Sequence, residues 1–314
     1  MSKNISTTPP VSCTLCPRRC GADRAENETG FCSMGETAVL SKVMLHKWEE
    51  PCISGTNGSG AIFFAGCSLR CAFCQNWEIS HMRKGLPVDI DRLRDIFDEL
   101  ADQGAHNINL VNPTHFVPFI QKAFKRYQKR IPVVYNTHGY DSLDALHRMD
   151  GIVDVYLPDL KYTYSLPARR YSSAPNYFEV AKVAIDEMFR QVGPVQYDEN
   201  GLLKKGVIIR HLVLPGFIEN SLGAVEWIAE TFPKNSILFS LLRQYTPIGA
   251  QEPPLDRRVT DEEYDGVLSW MELCGLDNGF LQDAAAATTE YLPEFDGSGL
   301  AIPPEKTESK GTSD

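Results

Sequence analysis

Short apolar runs alternate along the chain with segments of helical period. Six runs stand out: GAIFFAG (Gly60–Gly66), NINLVNP (Asn107–Pro113), IPVVYNT (Ile131–Thr137), VDVYLPD (Val153–Asp159), GVIIRHLVLPG (Gly206–Gly216) and SILFSLL (Ser236–Leu242). Their apolar residues are consecutive rather than alternate, which suits strands buried on both faces. Between the first two, Leu93, Ile96, Phe97 and Leu100 recur at helical spacing, and Gly104 is placed to stop the helix. FIQKAFKRYQKR, DSLDALHRM, FEVAKVAIDEMFRQVG and LGAVEWIAETF continue the alternation. A last helix starts after Thr260, which has Glu263 at capping-box spacing.

Strand-then-helix units in succession predict an α/β fold with a parallel sheet and right-handed crossovers. Pattern alone leaves open a doubly wound sheet or a curved, incomplete barrel. Both carry functional groups at the carboxyl ends of the strands. The residues there are polar or unusual: Cys67, then Asn112–His115, Asn136–Gly139, Asp159–Lys161, Pro215–Gly216 and Arg243–Tyr245.

Length and charge narrow the picture. With 314 residues, 43% of them hydrophobic, the chain can bury one large core with an appendage. A net charge of -10 argues against a nucleic-acid partner, whose phosphates need clustered Lys and Arg. The polar start MSKNISTTPPVS lacks an apolar stretch, and no run approaches a membrane span. The expected compartment is the cytoplasm. Thiols stay reduced there, so clustered cysteines read as metal or catalytic groups. Residues 1–12 and 296–314, rich in Ser, Thr, Pro, Gly and charge, read as disordered tails.

Nine cysteines are present, in two tight groups and two singles. Cys67, Cys71 and Cys74 form C-x3-C-x2-C with an aromatic before the third. A disulfide needs two thiols and a closed zinc site four. Three thiols suit a cubane [4Fe–4S] cluster that keeps one iron open, a property of catalytic metal sites. The competing reading is a zinc knuckle completed by His81 or another residue. Cys13, Cys16, Cys20 and Cys32 supply four thiols for a closed second site, either zinc or iron–sulfur. Cys52 and Cys274 read as buried free thiols.

The motif Cys67-x3-Cys71-x-Phe73-Cys74 resembles the signature of the radical S-adenosylmethionine superfamily. GSGAIFFAGCSLRCAFCQNWEIS, NINLVNPTHF, VVYNTHGY, VDVYLPDLKY and IRHLVLPG resemble the branch related to pyruvate formate-lyase activating enzymes, within it a subgroup with an extra N-terminal cysteine cluster. The resemblance implies a partial (β/α)6 TIM-like barrel with a small N-terminal metal-binding extension. It implies an extension at 13–50, a barrel at 51–250 and a helical completion at 251–295. Cys67, Cys71 and Cys74 would be the catalytic cluster ligands, with S-adenosylmethionine chelating the open iron. A flavodoxin- or ferredoxin-type protein would supply the electron. Hydrogen would be abstracted from a small molecule, a peptide or a glycyl-radical enzyme activated as a protein substrate. The alternative is a non-catalytic iron–sulfur or zinc protein of assembly or electron transfer.

The resemblance also carries residues. The family's Gly-Gly-Glu segment is replaced by Asn112–His115, which has no carboxylate, so Asn112, Thr114 or backbone carbonyls are expected to accept from the cofactor's amino group. Asn136 stands where the activating enzymes have an Asp, and His138 is a candidate proton carrier or polar contact. Asp159 and Lys161, two apart on a strand, share a face and are expected at the cofactor. Arg210 resembles the arginine near the cofactor carboxylate, while its neighbour His211 points the other way. Gln244–Pro247 is expected on the substrate side.

Overall fold

The computed structural model describes residues 12–301 apart from 27, 250 and 288–292. Residues 1–11 and 302–314, predicted as tails, lie outside that set. In chain order the strands are β1 (Ala38–His46), β2 (Ser59–Phe64), β3 (Leu86–Val88), β4 (Ile108–Val111), β5 (Val133–Thr137), β6 (Val155–Pro158), β7 (Gln196–Tyr197), β8 (Leu203–Leu212), β9 (Leu238–Leu242) and β10 (Gly279–Leu281). β2, β4, β5, β6, β8 and β9 are the six predicted strands. They lie side by side in that order, all parallel. β10 extends the parallel row beyond β9. β1 pairs antiparallel with β2 and β3, and β7 with β8. The path ends at β10 on one side and β3 on the other, which makes the barrel partial.

The helices are α1 (Pro51–Ser54), α2 (Trp77–Ser80), α3 (Ile90–Asp102), α4 (Val117–Phe124), α5 (Leu143–Met149), α6 (Ser165–Ser172), α7 (Tyr177–Val192), α8 (Ile218–Thr231) and α9 (Asp261–Leu273). α3 starts where the Asp89 side chain accepts from Arg92 N, and it buries Leu93, Ile96, Phe97 and Leu100. Gly104 follows at φ 81. The Thr260–Glu263 capping box is present at α9. α4 stops at Phe124, short of the predicted Arg130. The polar segment after Phe124 offers no apolar stripe, and Tyr127 alone folds back on Phe97 and Phe124.

Both faces of the parallel row are covered, as consecutive apolar residues require. The outer face packs Ile62, Leu110, Tyr135 and Phe239 against helix residues such as Phe97, Ile120 and Ile185. The inner face holds Val134, Val155, Leu157, Ile208 and Leu238 around Cys52 and Ile53 of α1. That short helix plugs the amino end of the lumen and leaves the carboxyl end open.

Residues 296–301 do not behave as a tail. Phe295 packs edge-on against Phe63 at 5.5 Å between ring centroids, and Leu300 is buried. Lys42 pairs with Asp296 at 3.0 Å. Arg92 donates to the carbonyls of Gly299, Leu300 and Ala301. The segment's composition argues for disorder, but two apolar anchors and a guanidinium that satisfies three carbonyls outweigh the entropy of ordering it.

Candidate active site

The lumen opens into a cavity of ≈ 510 Å³ at the carboxyl ends of the strands. Cys67, Cys71, Cys74, Asn112, Asn136, His138, Asp159, Lys161 and Arg210 all line it. Five strand ends far apart in sequence thus deliver the predicted residues to one space.

The three thiols sit on the loop between β2 and α2. Each receives a hydrogen bond from this chain. Leu69 N and Arg70 N donate to Cys67 Sγ at 3.3 and 3.4 Å. Ser172 Oγ, at the end of α6, donates to Cys71 Sγ at 3.0 Å. Ser80 Oγ, at the end of α2, donates to Cys74 Sγ at 3.3 Å. Burial, then the neighbouring Cys71, pushes the Cys67 thiol up to about 12. Burial likewise raises Cys74, with Cys71 adding to it. Thiolates here need a cationic partner, and donors already aimed at each sulfur fit an iron–sulfur cluster. Gly66 (φ 78) lets the N-terminal extension approach, since a Cβ there would lie 2.7 Å from the carbonyl oxygen of Cys32.

A line of charges leads down the lumen. Lys161 Nζ donates to Asp159 Oδ2 at 2.6 Å. Asp159 Oδ1 lies 3.3 Å from Arg210 Nε. Burial works against the Asp159 carboxylate, but Lys161 and Arg210 hold it below its ordinary range. Lys161 is depressed by burial yet raised on balance by Asp159 and then Cys71. The Arg210 guanidinium already has acceptors within this chain. Its Nη1 donates to Glu49 Oε2 at 2.9 Å and its Nη2 to Asn136 Oδ1.

Asn112 adopts φ 60, a left-handed conformation Asn tolerates better than most residues. Its Nδ2 donates to the carbonyl of Gly66 at 2.8 Å, and its Oδ1 is buried without a hydrogen-bond partner. Thr114 is committed elsewhere, donating to Asp141 Oδ1 at 2.8 Å. Tyr135 and Thr137 donate to the same carboxylate. His138 Nδ1 accepts from Tyr140 N at 3.1 Å, so its Nε2 carries the proton toward Ser68 Oγ. Burial, then Lys161, lowers it to about 3 and keeps the ring neutral. It is a loop-ordering histidine in this state. His115 is buried away from the cavity, with Nε2 2.7 Å from the carbonyl of Ala65. His211 faces outward as expected, bonded to the carbonyl of Leu160 and to Ser221. Gln244 and Tyr245 reach the cavity. Cys52 is buried in the floor, but Cys274 at the end of α9 is partly exposed.

Two residues missing from the sequence reading are Glu49 and Glu50. They sit between β1 and α1 and line the same cavity. Their only sequence signal is an adjacent acidic pair before a proline.

The extension covers the cluster loop. Arg18 donates to the carbonyls of Ser68 and Ser172 at 2.8 and 2.6 Å and stacks over Phe31 at 3.9 Å. It lies within electrostatic reach of Cys16 on one side and of Cys67 and Cys71 on the other. Burial raises Cys16 and Cys32, and in both the nearness of Cys13 and Cys20 adds to the rise, so the fold brings all four into one region. Among the described residues, no group of three or more His, Cys, Asp or Glu side chains is arranged so as to hold a metal ion as it stands. No helix among them is long and apolar enough to cross a membrane.

Comparison with known proteins adds the family. An uncharacterized protein of Methanocaldococcus jannaschii, MJ0674, is 33% identical over 281 residues, covering 85% of this chain and 76% of that one. Among solved structures, a domain of pyruvate-formate lyase-activating enzyme from Bacteroides vulgatus is 14% identical, with a TM-score of 0.38 over 55% of this chain and 91% of that one. HydG, a maturase of the [FeFe]-hydrogenase, is 12% identical, with a TM-score of 0.47 over 69% of this chain and 49% of that one. Residues 61–225 match the model of the Radical SAM superfamily, and this stretch contains all three lumen cysteines together with Asn112, Asn136, Asp159, Lys161 and Arg210. The chain belongs to the Radical SAM superfamily.

Proposed function

We propose that Cys67, Cys71 and Cys74 hold the [4Fe–4S] cluster that membership of this family implies, and that the cavity beside them takes S-adenosylmethionine and a substrate. The observation that carries this reading is the convergence of three thiols, each with its own hydrogen-bond donor, on a cavity lined by Asn112, Asp159 and Lys161. Held there, the cluster and S-adenosylmethionine would supply one-electron reductive cleavage of the cofactor and hydrogen-atom abstraction from a substrate.

The chain's own residues bind, orient and exclude water. Asn112 Oδ1 is the acceptor for the cofactor's amino group, since Thr114 is engaged by Asp141. Lys161 is the cavity cation that acts on Cys71 and Cys74, and it faces the cofactor carboxylate. Asp159 holds Lys161 in place from one side. Arg210 and Asn136, bonded to each other, brace Asp159 and Glu49 rather than meeting the cofactor directly. The extension, through Arg18, shields the cluster loop from water.

Cys13, Cys16, Cys20 and Cys32 form a second metal site in this reading, zinc or iron–sulfur, which fixes the extension over the first. A flavodoxin- or ferredoxin-type donor supplies electrons in the cytoplasm. The substrate is a small molecule, a peptide or a glycine loop of a partner enzyme.

The deciding experiment is anaerobic reconstitution with iron and sulfide, reduction, and addition of S-adenosylmethionine. Formation of 5′-deoxyadenosine is expected. An intact cluster that yields none would sink the reading in favour of a non-catalytic iron–sulfur protein. Iron and zinc analysis of a variant lacking Cys67, Cys71 and Cys74 reports on the N-terminal cysteines alone.

A further inference from the structure

Glu49 and Glu50 fall outside what a cluster and its cofactor require. β1 runs antiparallel to β2 with His46 opposite Ser59, so the segment that follows β1 enters the lumen from the amino ends of the parallel strands. α1 closes the floor directly behind them. The two carboxylates are 8% and 5% exposed.

Glu49 is saturated. Its Oε1 accepts from Asn109 and Asn136 at 3.0 and 3.2 Å, and its Oε2 from Arg210. Glu50 is not. Its Oε2 has no hydrogen-bond partner, and Arg210 Nη1 comes no closer than 4.0 Å. Asn109 Oδ1 is also buried and unpartnered, and its orientation is set because its Nδ2 donates to Glu49. With Glu50 ionised the charges do not balance either: Glu49, Glu50 and Asp159 face Lys161 and Arg210, three carboxylates against two cations, and burial, with Glu49 adding to it, raises Glu50 accordingly. His46, which lines the same floor, is kept neutral by burial and does not supply the difference. A buried carboxylate oxygen without a donor is costly, and a positively charged N–H donor relieves both the orphan and the excess charge.

We propose that Glu50, backed by Glu49, docks a cationic group of the substrate, an ammonium or a guanidinium, at the floor of the lumen. The radical reading above defines what then happens to that substrate, and the docking chemistry is tested apart from it.

The test is titration calorimetry on the reconstituted protein with four probes: butylammonium, butylguanidinium, butyramide and butyrate. Saturable binding of the cations is expected, with butyramide about tenfold weaker or worse and butyrate unbound. Glu50→Gln should weaken the cations by about tenfold or more, and Glu50→Asp should recover part of the loss. Circular dichroism and iron content check that each variant folds. If Glu50→Gln does not fold, the probe selectivity of the native protein and of Glu50→Asp decides. Absence of cation binding, equal binding of butyramide, or unchanged affinity in Glu50→Gln overturns the proposal. So does displacement of butylammonium by S-adenosylmethionine, which would put these carboxylates in the cofactor's own site. A protein that cleaves S-adenosylmethionine but ignores both cations removes this proposal alone. One that binds them without cleavage removes the radical reading alone.

Discussion

Replacing Arg210 with Met tests how the lumen charges hold together. The guanidinium is buried, 15% exposed, and touches Glu49 at 2.9 Å and Asp159 at 3.3 Å. Removing one partner of a buried ion pair costs ~3–5 kcal/mol, because the other charge stays behind without water. Two pairs share this one guanidinium, and Glu50 can take a proton, so the losses do not add. We expect about 4 kcal/mol, which lowers the melting temperature by roughly 8 °C at ~2 °C per kcal/mol for a chain of this size. The deficit should depend on pH. Asp159 is held low against its burial by Lys161 and Arg210, so it adds stability above its unfolded pKa and loses it as pH falls through the folded value. Glu50 is raised by burial, with Arg210 opposing and Glu49 adding to the rise. Without Arg210 its penalty grows as pH rises and fades as pH falls toward its unfolded value. Thermal unfolding of both proteins at about pH 8 and about pH 5.5 should therefore show the larger gap at the higher pH. A gap below ~1 kcal/mol, or one that widens on acidification, refutes the argument that Arg210 neutralises buried carboxylates.

Other substitutions probe single supports. Gly139→Ala places a Cβ against the carbonyl oxygen of Asp159 at a residue with φ 76. It should destabilise the protein by ~2 kcal/mol or more in urea unfolding and weaken S-adenosylmethionine binding through Asp159. Asp141→Ala leaves the hydroxyls of Thr114, Tyr135 and Thr137 unpaired in the core. A loss of ~3–5 kcal/mol is expected from the urea midpoint, and Asp141→Asn should lose less. Asn112→Gly keeps the left-handed backbone and deletes the orphaned Oδ1. It should raise the dissociation constant for S-adenosylmethionine by about tenfold in equilibrium dialysis, while the lost Nδ2 bond to Gly66 lowers stability by only about 1 kcal/mol. A large stability loss with unchanged affinity would mark Asn112 as structural.

The chain announces some of this by itself and withholds the rest for identifiable reasons. Six apolar runs announce six parallel strands, because burial on both faces demands consecutive apolar residues whatever the neighbours are. Cys67, Cys71, Cys74, Asn112, Asn136, Asp159, Lys161 and Arg210 are legible as a site because each follows or ends a strand, and parallel topology sends all such ends to one side. Partner choice is not local. Arg210 advertises a charge, but only the closure of β1 onto β2 brings Glu49 and Glu50 to it across more than half the chain's length. An acidic pair beside a proline is ordinarily solvated, and nothing in its own sequence says that it enters a lumen. Asp296 and Leu300 likewise look disordered until Lys42 and Arg92 supply their contacts. The sequence by itself determined which residues can carry the chemistry, since strand period and cysteine spacing are written in near neighbours. The tertiary structure alone decided which of those residues are already paired and which face the cavity with an atom unsatisfied, because burial and pairing belong to the packed fold.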